Sequence, residues 1–262
     1  MGKRVIGECH ICGQIKKLSK EHIPPESIFN ENTVWRYPIL NPANLKNDIL
    51  QPNRTGGSES KGGNKEYTLC VCCNEFTGGK YGREYSDIAK SFADFYIKNN
   101  MALGNGFDFE MHNCFGLRFF KQIISMFCSI NKGLAAENGI KEFLLDENNN
   151  NFNKEKYKVF MYLNPTMISM LHPFQEIRKV IDFDKKMFQE YLKFSEIYSY
   201  PFGFCLIRRH DETEELILNE FGMDITDLSN CGYNDRVTIN IPLVSKKPYI
   251  MEKIKNNTDV NK

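Results

Sequence analysis

From Arg83 onward, apolar residues recur at helical spacing. Tyr85, Ile88, Phe92 and the pair Phe95/Tyr96 share one face, which predicts a helix reaching about Lys98. The segment GLRFFKQIISMFCSINKG repeats the pattern, with Leu117, Phe120, Ile124, Phe127 and Ile130 expected to face inward. A shorter helix, GIKEFLLDE, runs into the polar stretch ENNNNFNKEK at 147–156, an expected surface loop. Beyond it the period changes. YKVFMYL, YPFGFCLI, EELILNEFGMDI and RVTINIPLV read as strands separated by Asp, Asn, Gly and Pro. The C-terminal half therefore reads as a mixed α+β domain around an antiparallel sheet. Residues 1 to about 80 differ, being rich in Gly, Pro, Asn and Cys with little sustained periodicity. The stretch NRTGGSESKGGN at 53–64 favours mobility, and the tail KNNTDVNK reads as disordered. No internal repeat is present. The division expected is 1–100 and 101–262, and the first part needs something other than a core to hold it.

Composition narrows the setting. The 262 residues are 41% hydrophobic and 26% charged, an ordinary globular mixture. With 34 basic and 33 acidic residues, the chain has no large uniform field, so a charged partner must meet a local patch. The slight basic excess lies at the front, where residues 1–100 hold 14 Lys/Arg against 11 Asp/Glu. MGKRVIGECHICG lacks the apolar run of a signal peptide, and LRFFKQIISMFCSI is interrupted by Lys121 and Gln122. A soluble cytoplasmic protein without a membrane partner is expected. Nine cysteines in such a chain argue for metal binding by the clustered ones rather than a disulfide framework.

Cys9 and Cys12 form one CxxC, and Cys70 and Cys73 a second. Together they supply four thiolates, the number that a closed tetrahedral zinc site takes, and such a site would organise the glycine-rich region. His10 and Cys72 are competing ligands inside the two knuckles. The alternative is buried free thiols, the reading given to Cys114, Cys128, Cys205 and Cys231 in their apolar segments.

A structural zinc has no use for Glu21-His22 or for Asn74 directly after the last cysteine. Phosphodiester hydrolysis needs a base to deprotonate water and a divalent ion to neutralise charge on the phosphate. Imidazole suits the first task, while a carboxylate and an amide carbonyl are hard oxygen ligands for Mg²⁺ or Mn²⁺. CHICG at 9–13, LSKEHIPPESIF at 18–29 and LCVCCNEFTGGKYG at 69–82 closely resemble the HNH endonuclease family, in its subgroup with a zinc-stapled ββα-metal fold. The resemblance covers about 80 residues. It implies an N-terminal ββα-metal domain followed by helices and the mixed α+β domain. It also implies structural zinc on Cys9, Cys12, Cys70 and Cys73, a catalytic Mg²⁺ or Mn²⁺ on Glu21 and Asn74, and His22 as general base. Nucleic acid, with DNA favoured, becomes the expected substrate, and defence against foreign DNA a context by analogy. Glu21 stands where the family more often carries Asp, and Asn64 is the approximate match to an asparagine that braces the histidine loop. A non-catalytic zinc-stapled nucleic-acid-binding module is the alternative expectation. A homodimer would suit cutting of both strands, though no heptad pattern declares an interface.

Among the remaining residues, Lys16, Lys17, Lys20, Arg54, Lys61, Lys65, Lys80 and Arg83 are candidates for a phosphate-lined groove, each individually read as solvated surface. Trp35, Tyr37, Tyr67 and Tyr81 are read as core rather than base-stacking residues. His112, His172 and His210 lack metal-ligand spacing and are read as structural or exposed.

Overall fold

The computed structural model describes residues 4–31, 33–36, 58–99, 108–166, 169–183, 186–209 and 222–242. Strands β1 (Ile6–Glu8) and β2 (Ile15–Lys17) form an antiparallel hairpin whose turn carries the first CxxC. The turn closes through Cys9 N–H to the Gln14 carbonyl and Gly13 N–H to the Cys9 carbonyl, with Gly13 at φ 73°, a conformation open to glycine at little cost. Strand β3 (Glu21–His22) pairs antiparallel with β6 (Lys65–Glu66). Bonds from Ser19 N–H to the Leu69 carbonyl and from Ile23 N–H to the Asn64 carbonyl, together with the Leu18–Cys70 bridge, lengthen this pair into a ribbon. Between them in sequence, β4 (Val34–Arg36) pairs with β5 (Ser58–Ser60).

The ribbon runs straight into helix α1 (Val71–Thr77), then a π-helical turn over Gly78–Gly82, then helix α2 (Arg83–Lys98). Strand β7 (Asp108–Phe115) leads into α3 (Gly116–Ile130), followed by the short α4 (Ile140–Leu145). The main sheet is antiparallel, in the order β12 (Met223–Asp224), β8 (Tyr157–Leu163), β11 (Phe202–Arg208), β10 (Lys186–Ser199), β9 (Met170–Phe183). A mixed α+β architecture with antiparallel sheets is thus present.

Helices α2, α3 and α4 and strands β8 and β11 lie where periodicity predicts them. RVTINIPLV does form strand β13 (Arg236–Pro242), but it pairs with β7, outside the main sheet. Of EELILNEFGMDI, only the end is described, as β12 beside β8; its start and the tail KNNTDVNK lie outside the described residues. The β9–β10 hairpin, paired from Phe183/Lys186 to Met170/Tyr198 around a bulge at Phe194/Glu196, is the largest element absent from the sequence reading.

Helix α3 is the centre of the molecule. Five inward positions were expected, yet every residue from Gly116 to Ser129 except Arg118 is buried. A helix enclosed on all sides needs partners for its polar groups. Lys121, fully buried, donates from Nζ to the carbonyls of Asp146 and Glu147 at the end of α4, and Nζ lies 4.7 Å from the Phe143 ring centre. The Asp146 carbonyl, which also accepts from Asn149 N–H, and the Glu147 carbonyl lie just past α4, so the cation closes the end of that helix. Burial nonetheless lowers the Lys121 pKa to about 8. Across the core, Phe202 meets Phe92 at 5.0 Å and Phe204 meets Phe119 at 6.2 Å, so β11 packs on both long helices. One continuous hydrophobic cluster runs from Cys9 and Ile11 to Ile239, shared by the segments 1–100 and 101–262.

His172, on β9, is held down to about 4 by burial. Its folded-state pKa lies below the unfolded value of about 6.5, so the unfolded chain binds the extra proton between those limits. Stability is therefore expected to fall as pH drops from about 6.5 to about 4. Urea midpoints followed over that interval should show a shallower acid decline in His172→Gln than in the parent protein.

Candidate metal centre and adjoining cleft

The ribbon and the first hairpin bring both CxxC pairs together. The sulfurs of Cys9, Cys12, Cys70 and Cys73 all lie within 4.8 Å of one another, although 57 residues separate Cys12 from Cys70. Cys12 Sγ and Cys70 Sγ are 3.9 Å apart, too far for a disulfide. The spacing matches the edge of a tetrahedron with metal–sulfur bonds of about 2.3 Å, which is about 3.8 Å. Proton affinities within the cluster point the same way. The Cys9 thiol is pushed down to about 4, chiefly by the hydrogen bond from Cys73, while Cys73 is pushed far up by its neighbour Cys9 and by burial. Crowded thiols resist losing several protons together, and a bound cation offsets that cost. This four-cysteine group can hold a metal such as zinc. His10 turns away from it, its Nδ1 lying 2.8 Å from the Ser129 carbonyl, and Cys72 is exposed on α1; neither belongs to the group.

Beside the cluster lies a cleft of about 510 Å³ whose walls include Glu21, His22 and Asn74. Strand β3 supplies the first two and α1 the third. Their positions follow from the thiol cluster, since Leu18 and Ser19 pair with Cys70 and Leu69. His22 is oriented by its Nε2, which donates to the Gly62 carbonyl at 3.2 Å, with Glu26 Oε1 at 3.7 Å. That bond leaves Nδ1 as the nitrogen with a free lone pair. Asn74 donates its amide to Ser19 Oγ at 3.0 Å, so its carbonyl oxygen is unclaimed by the described residues.

Glu21 is held differently. It is 5% exposed, and its Oε2 accepts from Ser129 Oγ at 2.5 Å and from Thr68 Oγ1 at 3.3 Å. Burial pushes its pKa up to about 7 against the pull of those two hydroxyls. Oε1 has no donor among the described residues. One oxygen is thus anchored to α3, while the residue as a whole contributes to the cleft wall.

Asn64 does not brace the histidine loop through its side chain, which donates to Ser169 Oγ at 2.6 Å. Asn30 does that work. Its buried amide donates to the Pro24 and Asn64 carbonyls, and its Oδ1 accepts from Asn64 N–H at 2.8 Å. A side chain at Gly63 (φ 80°) would collide with the Asn30 carbonyl, so glycine is required there, and the clamp fixes the loop that offers Gly62 to His22. Composition reads the doublet Gly62-Gly63 as part of a mobile stretch, whereas its positive φ angles form this turn; nothing in the sequence pointed to Asn30 or Ser129.

The other candidates scatter. Lys16, Lys17, Lys20, Lys61, Lys80 and Arg83 are exposed and Lys65 half-buried, with Lys20 and Arg83 on the cleft walls. Tyr81 is fully buried and donates to the Leu144 carbonyl, whereas Tyr67 is 39% exposed. Cys114, Cys128 and Cys205 are buried and Cys231 half-buried, with His112 exposed beside Glu110. Arg54, Tyr37 and His210 lie outside the described residues, as does the placement of the Trp35 side chain. Among the described residues, no helix is long and apolar enough to cross a membrane. Comparison with protein-family models, with curated proteins and with solved structures gives no match.

Elemental analysis of protein purified without chelator is expected to find one tightly held metal ion per chain. Cys73→Ser should lose that ion and lower the thermal midpoint sharply, because binding free energy at such a centre is folding free energy. Retention of metal and midpoint by this variant would refute the assignment.

Proposed function

We propose that this protein is a metal-dependent HNH-type endonuclease that hydrolyses phosphodiester bonds in nucleic acid, with DNA the favoured substrate. The observation that carries the proposal is the convergence of Glu21, His22 and Asn74 on one cleft, from a two-stranded ribbon and the helix that follows it, beside the four-cysteine group. In this reading the cysteine group holds zinc and has no chemical part. Glu21 and Asn74 would hold a Mg²⁺ or Mn²⁺ ion, which would supply charge neutralisation on the phosphate and the leaving oxygen.

His22 acts as general base. With Nε2–H committed to the Gly62 carbonyl, Nδ1 takes the proton of a water molecule as that water attacks phosphorus. The Asn30 clamp keeps the imidazole in this tautomer and orientation, in the way that a backbone carbonyl fixes a catalytic histidine elsewhere. Ser19 holds the Asn74 amide nitrogen, which in this reading leaves the side-chain carbonyl oxygen for the ion. Ser129 and Thr68 hold Glu21 Oε2 and so fix the position of the carboxyl group.

One observation favours a second reading, a nucleic-acid-binding module that does not cut. Glu21 is buried and raised to about 7, the profile of a carboxyl kept as an internal hydrogen-bond partner. Plasmid incubated with the full chain and Mg²⁺ or Mn²⁺ separates the two. The nuclease reading expects nicked or linear product, and His22→Ala should slow cutting about 100-fold or more. Equal cutting by both proteins would sink His22 as base, and binding without any cutting would establish the second reading.

A further inference from the structure

A second cleft, of about 750 Å³, lies along α2, β7 and β13 and shares Arg83 and Asp87 with the walls of the first. On its far side stands a ladder of alternating rings and guanidinium groups. The Arg118 Cζ lies 4.1 Å from the Tyr233 ring centre and 3.9 Å from that of Phe115, and the Arg236 Cζ lies 4.4 Å from the same Phe115 ring. Three carbonyl groups complete it: Arg118 donates to the Tyr233 carbonyl and Asn234 Oδ1, and Arg236 to the Asn113 carbonyl.

The charges around the ladder are unevenly matched. Lys80 is paired with Glu147, Arg83 with Asp87 and His112 with Glu110, while Glu84 accepts from the Phe115 backbone N–H. Among the described residues no carboxylate meets Arg118 or Arg236. Their hydrogen bonds go only to neutral oxygens, so both carry full positive charge toward the cleft. Stacking against rings fixes two planar forks without consuming their remaining donors, and a fixed fork matches the two oxygens of a phosphate. A core role explains the half-buried Arg118, but it does not explain the exposed Arg236 standing on the outer ring.

We infer that the Tyr233–Arg118–Phe115–Arg236 ladder is a phosphate-binding platform that grips the nucleic-acid backbone beyond the cutting site and sets the strand's path through the Arg83 junction. The inference rests on the proposed nucleic-acid substrate and adds residues from β7, α3 and β13 to the surface that binds it. It accounts for how a chain of net charge +1 engages a polyanion: two uncompensated charges are placed where a strand must pass.

The test is binding, so that it does not depend on catalysis. Full-length His22→Ala protein with its cysteine-bound metal, and no added magnesium or manganese, is titrated with a fluorescent DNA duplex across a range of salt concentrations. Adding Arg236→Gln should weaken binding about tenfold and reduce the slope of log affinity against log salt by about 0.9, the loss of one phosphate contact. Lys98→Gln, an exposed cation at the other end of α2, should leave both unchanged. Unchanged affinity and slope in Arg236→Gln would overturn the platform whether or not the parent protein cuts DNA. Binding that depends on Arg236 in a protein that never cuts would uphold the platform and discard the nuclease.

Discussion

Four sulfur atoms packed within 4.8 Å of one another are the constraint on which this molecule turns. Crowded thiols resist successive ionisation, and their arrangement becomes favourable with a cation at the centre. The cluster fastens the β1–β2 turn to the start of α1 and so fixes the register in which residues 18–23 meet residues 64–70. Register in a two-stranded ribbon decides which side chains face which way, since a slip of one residue exchanges the two faces. The convergence of Glu21, His22 and Asn74 on one cleft is therefore inherited from the sulfurs. Ile11, Leu18, Ile23, Ile28 and Leu69 bury the same region in the shared core, so apolar packing and the sulfurs act together.

The second fixed point is the C-terminal end of α3. Ser129 donates its hydroxyl to Glu21 and offers its carbonyl to His10, so one residue of the central helix touches both the knuckle and the cleft. A buried carboxylate without partners would be costly, and two hydroxyl donors offset much of that penalty. The arrangement joins the two parts of the chain through polar contacts as well as through their shared core. Burial favours the protonated carboxyl, whereas the divalent ion of the proposed function would favour the carboxylate.

Much of this was legible in the sequence. The cysteine group was readable because chelation demands close pairs, and α2, α3 and α4 because helical burial imposes its own period. The full enclosure of α3 was not readable. Lys121, Gln122, Ser125 and Ser129 look like a solvent face until the carbonyls of α4 and the Glu21 carboxylate appear opposite Lys121 and Ser129. The β9–β10 hairpin was hidden for another reason. Met187, Phe188, Tyr191 and Leu192 follow helical spacing, and only pairing with β9 makes the segment a strand. The Asn30 clamp joins residues 34 apart through a turn whose shape depends on Gly63, and no local pattern encodes such a contact.

Charge brings these threads together. A chain with 34 basic and 33 acidic residues cannot attract a polyanion from a distance, because its summed field is small and is screened within about 10 Å at moderate salt. Recognition must then be made at contact, by groups whose charge is not already neutralised by a neighbour. Several surface cations here fail that condition: Lys80, Arg83, Lys132, Lys154 and Lys158 each face a carboxylate. Arg118 and Arg236 satisfy it because aromatic rings, rather than acids, hold them in place. Rings orient a guanidinium while leaving its charge uncancelled, which carboxylates cannot do. In a nearly neutral protein, aromatic support is thus a means by which a cation can be both fixed and available, and the cleft that the ladder lines shares Arg83 and Asp87 with the cleft of His22.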